Sequence, residues 1–112
     1  MGVYIQEFKS EQDVIEQYSA SSDALAGATV HLAWYGYGDY CGSSLVVFEK
    51  DGKLYEVNGS HCSCNGLEGQ WEPEETSREA LRIRDLGGEY EGNAEADKEL
   101  KVLVDKFAPL AQ

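Results

Sequence analysis

A chain of 112 residues with 42% apolar content is sized for one domain, residues 1–112, with a modest core. Twenty-one acids against nine bases give a net charge of −12, which repels phosphates and argues against direct nucleic-acid binding while favouring basic partners. No apolar run approaches the roughly 20 residues that span a bilayer, so no membrane association is expected. The excess charge is spread along the chain, with ten acids and three bases in residues 1–71 and eleven and six in 72–112, so it is not an acidic tail. Solubility alone also accounts for it. The first residues lack the basic start and apolar stretch of a secretory signal, and three cysteines make an odd count. Both features suit a reducing, cytoplasmic setting.

In chain order, Ser10-Glu11-Gln12-Asp13 resembles a capping box with Asp in place of Glu. Phe8, Ile15 and Tyr18 follow at helical spacing, which predicts a helix over about 11–19. From Thr29 the period becomes two, with Val30, Leu32 and Trp34 expected on one face of a strand and His31, Ala33 and Tyr35 on the other. A glycine- and tyrosine-rich loop over 36–42 leads into an apolar strand over 43–50. Asp51-Gly52 then signals a two-residue type I′ hairpin, because that turn needs positive φ at both central positions. The turn sets a register in which Lys50 faces Lys53, Phe48 faces Tyr55 and Val46 faces Val57, a four-residue apolar patch. The opposite face, with Leu45, Val47, Glu49, Leu54, Glu56 and Asn58, is expected to be half-exposed or covered by a terminal segment.

After Trp71, Pro73 suits a helix start, with Glu74 and Glu75 placed to complement its N-terminal dipole and Gly87-Gly88 as its stop. A final helix is marked by Leu100, Leu103, Val104 and Phe107, with Ala96 extending the stripe and Pro109 beyond its end. The expected fold is α+β: a three-stranded antiparallel sheet with one N-terminal and two C-terminal helices packed on one face.

Extending the hairpin register outward sets Cys41 opposite Cys62, unless a bulge at Gly42 or Gly59 shifts the pairing and brings Cys64 closer. Several chemistries fit thiols gathered at the hairpin's open end. Cys41, His61, Cys62 and Cys64 together make a Cys₃His donor set for zinc, although Cys-x-Cys is tighter than the usual knuckle spacing. A cross-strand disulfide is the second option. A thiol nucleophile is the third, but His61 neighbours Cys62 on a strand and so sits on the other face. His31 suits a solvent-facing strand histidine, and packed, unreactive thiols are the plainest reading of the cysteines. Tyr35, Tyr37, Asp39 and Tyr40 in the aromatic loop, with Trp71 returning past the hairpin, suit a partner-binding surface, since tyrosine offers contact area at low entropic cost. The same rings also suit a cover for the sheet end. No residue pair is assigned as general acid and base, and no nucleotide fingerprint is present.

The string from Trp34-Tyr35-Gly36-Tyr37-Gly38 through Phe48-Glu49-Lys50-Asp51-Gly52-Lys53, Gly59-Ser60-His61-Cys62-Ser63-Cys64 and Gly66-Leu67-Glu68-Gly69-Gln70-Trp71-Glu72-Pro73 resembles a family of small proteins of unassigned activity encoded by tailed bacteriophages. The resemblance covers about residues 34–73 and implies a bacterial host cytoplasm and an accessory role in infection, with no enzymatic activity, cofactor or catalytic residue to carry over. The expected function is therefore non-enzymatic: an acidic protein that binds and modulates a host protein by presenting a DNA-like negative surface to a nucleic-acid-binding partner. The alternative is a small zinc-binding structural or regulatory domain, and a thiol-dependent enzyme ranks third.

Overall fold

The computed structural model describes residues 3–6, 8–38, 41–62, 67–82 and 93–106. In chain order the elements are β1 (Val3–Gln6), α1 (Glu11–Tyr18), β2 (Thr29–Gly38), β3 (Cys41–Lys50), β4 (Lys53–Cys62), β5 (Glu74–Thr76), α2 (Arg78–Arg82) and α3 (Asn93–Lys106). They form one five-stranded sheet in the order β1-β2-β3-β4-β5, parallel between β1 and β2 and antiparallel elsewhere. The expected three-stranded antiparallel sheet is thus only the centre of a larger mixed one. β1 was hidden because four residues carry little period and because its partner lies a helix away in sequence, where no local turn announces the pairing.

The N-terminal helix begins as its sequence directs. Ser10 is extended and its Oγ accepts the Asp13 N–H at 3.3 Å, while the Asp13 carboxylate accepts the Lys9 N–H at 2.9 Å. Ser19 closes it in the left-handed region at φ 51°, its N–H donating to the Glu16 carbonyl. Val14, Ile15 and Tyr18 make the buried stripe.

The sheet carries a core on each face, so the expectation of helices on one face is corrected. On one side Phe8, Val14, Ile15 and Tyr18 pack with Val46, Phe48 and Val57. On the other, Leu81 of α2 and Ala96, Leu100, Leu103 and Val104 of α3 pack with Ile5, Trp34, Leu45 and Val47. The second face of the central hairpin is therefore covered by the C-terminal segment, and Leu45 and Val47 are buried. Two apolar faces need two covers, and an eight-residue helix spans only one.

Strand β2 departs from simple alternation. Val30 pairs with Phe48 but Leu32 pairs with Val47, so His31 is an inserted residue at a β-bulge. One extra residue reverses the parity that follows. Val30 consequently joins Ala33 and Tyr35 in the α1-side core, while Leu32 and Trp34 enter the other. The anticipated grouping of Val30 with Leu32 and Trp34 is overturned by that bulge.

The segment after Trp71 also differs. Glu74 and Glu75 are strand residues, with Glu75 opposite Tyr55 and Glu74 opposite Glu56, rather than the first turn of a helix. Helix α2 starts later at Arg78, and the Ser77 Oγ caps it by accepting the Ala80 N–H at 3.2 Å. The predicted stop at Gly87-Gly88, the residues around Pro109 and Phe107 lie outside the described residues.

Candidate functional site

The Asp51-Gly52 turn governs the site. Asp51 has φ 54° and Gly52 has φ 77°, the two positive angles of a type I′ turn. Such a turn makes Lys50 and Lys53 a hydrogen-bonded pair, after which hydrogen-bonded and non-hydrogen-bonded pairs alternate outward. The pairing runs without a register shift over ten pairs to Cys41 opposite Cys62. Neither Gly42 nor Gly59 bulges. Counting outward, 49/54, 47/56, 45/58, 43/60 and 41/62 are the non-hydrogen-bonded pairs, and their main-chain groups on β4 point away from β3.

Two contacts agree with that phase. β5 is centred on Leu54 to Glu56, with Thr76 opposite Leu54 and Glu74 opposite Glu56. Further along, the Gln70 carboxamide stands in for a strand: Ser60 N–H donates to Gln70 Oε1 at 2.9 Å, and Gln70 Nε2 donates to the Ser60 carbonyl at 2.8 Å. Between these two covers, the β4 edge at Asn58 faces a cavity of about 490 Å³ lined by Asn58, Gly69, Gln70, Glu72, Pro73 and Glu74. A second hollow of about 560 Å³ shares Asn58 and Glu74 with it and continues past Glu56, Glu75 and Thr76. The two polar hollows adjoin at Asn58 and Glu74 and form the groove along the β4–β5 edge, with the exposed residues Glu72, Glu74 and Glu75 in its lining.

Glu56 forms the floor of that groove. It is 3% exposed, and its oxygens accept from Asn58 Nδ2 at 2.8 Å and from Thr76 Oγ1 at 2.6 Å. Charge-assisted bonds of this kind are what make a buried carboxylate tolerable. The sequence places Glu56 on the second face of the hairpin without assigning it a role. The available signal was its parity with Leu45, Val47 and Leu54, the face that the C-terminal helices cover.

The aromatic residues resolve differently. Tyr35 is 1% exposed and packs on Phe8 with ring centroids 5.5 Å apart, so it serves the core and not a recognition surface. Trp71 is half-buried, stacked on Phe48 at 6.0 Å and edge-on to Tyr18 at 5.3 Å. It does return past the hairpin, packed between α1 and the sheet. Tyr18 is buried, its Oη donates to Ser44 Oγ at 2.8 Å, and burial pushes its phenol up to about 12. For Tyr37, Cys41, His61 and Cys62 only the main chain is described, while Asp39, Tyr40 and Cys64 lie outside the described residues.

His61 pairs with Gly42 and so has the opposite parity to Cys62 on the same strand. That separates it from the Cys41/Cys62 pair and works against one centre drawing on all of them. Among the described residues no group of three or more His, Cys, Asp or Glu side chains gathers as a metal site. His31, at the bulge, places Nε2 3.2 Å from Glu49 Oε1 on the neighbouring strand, a cross-strand contact and not a free solvent-facing ring.

Compared with known proteins, the chain matches no family model, no curated protein and no solved structure. Among the described residues no helix is long and apolar enough to cross a membrane.

Proposed function

We propose that the protein is a non-enzymatic accessory protein of the bacteriophage type that binds and modulates a basic host protein through an acidic face. The phage type follows the sequence resemblance, and the observation that supports the acidic face is the β4–β5 edge, where Glu72, Glu74 and Glu75 line adjoining hollows of about 490 and 560 Å³ beside hydrogen-bonding groups of Asn58 and Gln70. Carboxylates set around carboxamides suit the guanidinium and ammonium groups of a nucleic-acid-binding surface, because Arg presents several donors in a fixed fork. The net charge of −12 adds long-range attraction that speeds encounter and is screened by salt.

The test uses an arginine-rich peptide in a titration at low and high salt. Two variants of equal charge are compared, Glu72→Gln/Glu74→Gln/Glu75→Gln in the groove and Glu11→Gln/Glu16→Gln/Glu95→Gln away from it. Affinity should fall at least about tenfold for the groove variant and much less for the other, with both differences shrinking at high salt. Equal losses in the two variants would reduce the effect to net charge and remove the groove from the proposal.

A further inference from the structure

We propose that Cys41 and Cys62 form a reversible cross-strand dithiol–disulfide site that exchanges with low-molecular-weight disulfides of the glutathione class. The two residues are directly opposed in the β3–β4 ladder, at the last of ten consecutive pairs and in the non-hydrogen-bonded phase. Two independent observations set that phase. The type I′ turn fixes it at one end, and the Gln70 carboxamide occupies the outward groups of Ser60 two residues before Cys62.

Phase matters because it sets spacing. Opposed residues in a non-hydrogen-bonded pair lie about 4.5 Å apart at Cα, against about 5.5 Å in the hydrogen-bonded kind. Disulfides span Cα separations of about 4.4 to 6.8 Å, so the pair is within bridging reach without moving the strands. The main chain between the two cysteines is the hairpin itself, already held by the ladder, so the two residues stay opposed whenever the sheet is folded.

The exchange has two steps. The thiolate of one cysteine attacks the small disulfide, forming a mixed disulfide and releasing one small thiolate that takes up a proton. The second cysteine's thiolate then attacks the protein sulfur of that adduct, closing the Cys41–Cys62 bond and expelling the second small thiol. The small disulfide gains the two electrons that the two protein thiols lose, and excess small thiol reverses both steps. A bridge there pins the free ends of β3 and β4 beside the Ser60–Gln70 clamp, so it stiffens the end of the sheet that borders the acidic groove. The inference stands apart from the proposed partner, since it needs only the ladder.

The folded full-length protein is incubated with glutathione disulfide, quenched by alkylation and measured as intact mass and as non-reduced peptides. The expected product has lost two hydrogens and yields a Cys41–Cys62 cross-linked peptide, in the unaltered chain and in Cys64→Ser alike. Cys41→Ser and Cys62→Ser cannot close the bond and should accumulate glutathione adduct at least about tenfold more than Cys64→Ser. A dominant link to Cys64, or three thiols that stay fully alkylatable at every glutathione ratio, overturns the assignment. The peptide map of the unaltered chain decides the matter even if a serine variant folds poorly.

Discussion

Gly59 is the position where the core and the site meet most closely. A Cβ built there would sit 2.8 Å from Tyr18 Oη, 2.9 Å from Leu67 Cδ2 and 3.2 Å from Tyr18 Cε1. Neither neighbour moves cheaply. Tyr18 and Leu67 are fully buried, and the tyrosine hydroxyl is tied to Ser44 at 2.8 Å. Gly59→Ala must therefore displace the ring or the strand, an overpacking cost of about 1–3 kcal/mol. If the ring moves, the Tyr18–Ser44 hydrogen bond is lost as well, for a further ~1 kcal/mol. The total of about 2–4 kcal/mol is a large share of a small domain's stability. Urea denaturation should show it as a lower midpoint with an unchanged slope. Tyr18→Phe by itself removes one hydroxyl contact and should cost about 1 kcal/mol. In the double variant the closest clash has lost its oxygen, so the combined loss should fall short of the sum by about 1 kcal/mol. A Gly59→Ala protein within about 0.5 kcal/mol of the parent, or a strictly additive cycle, would refute the packing argument.

Three further outcomes follow from the same contacts. Glu56→Ala removes a buried carboxylate that accepts two charge-assisted bonds, from the half-buried Thr76 hydroxyl and the exposed Asn58 amide, and should destabilise by about 2–3 kcal/mol, whereas Glu75→Ala on the exposed strand should stay within about 0.5 kcal/mol by the same denaturation assay. Gln70→Ala removes both bonds to Ser60, so hydrogen exchange at the Ser60 amide should accelerate at least about tenfold while amides of the hydrogen-bonded pairs, such as Val57, hold their protection. The Tyr18 phenol is raised from 10.0 to about 12 in the folded protein, so the unfolded chain ionises first as pH rises. Stability from this group is whole below pH 10 and drains away between about 10 and 12, and Tyr18→Phe should flatten that part of the curve; phenolate absorbance that shows every tyrosine titrating near 10 would contradict it.

How far the chain could be read locally follows from where the determining forces act. Ser10 and Asp13 cap α1 within one turn, so the helix start was legible. Asp51 and Gly52 set the hairpin through their own backbone angles, and with no bulge in β3 or β4 the register carried ten pairs outward to the cysteines. The phage-type accessory role, by contrast, came from resemblance alone and remains a proposal. β1 joins β2 across a helix, β5 is three residues long, and Pro73-Glu74-Glu75 carries a helix-start pattern that pairing with Leu54 to Glu56 overrides.

Turn chemistry and strand alternation, being properties of neighbouring residues, are written into the chain and determined which thiols oppose each other. The bulge at His31, the burial of Tyr35 and Glu56, and the division of the helices between two faces were decided only in the tertiary structure. Each depends on what covers a surface, and a strand's own residues specify its two faces but not the segments that come to lie on them.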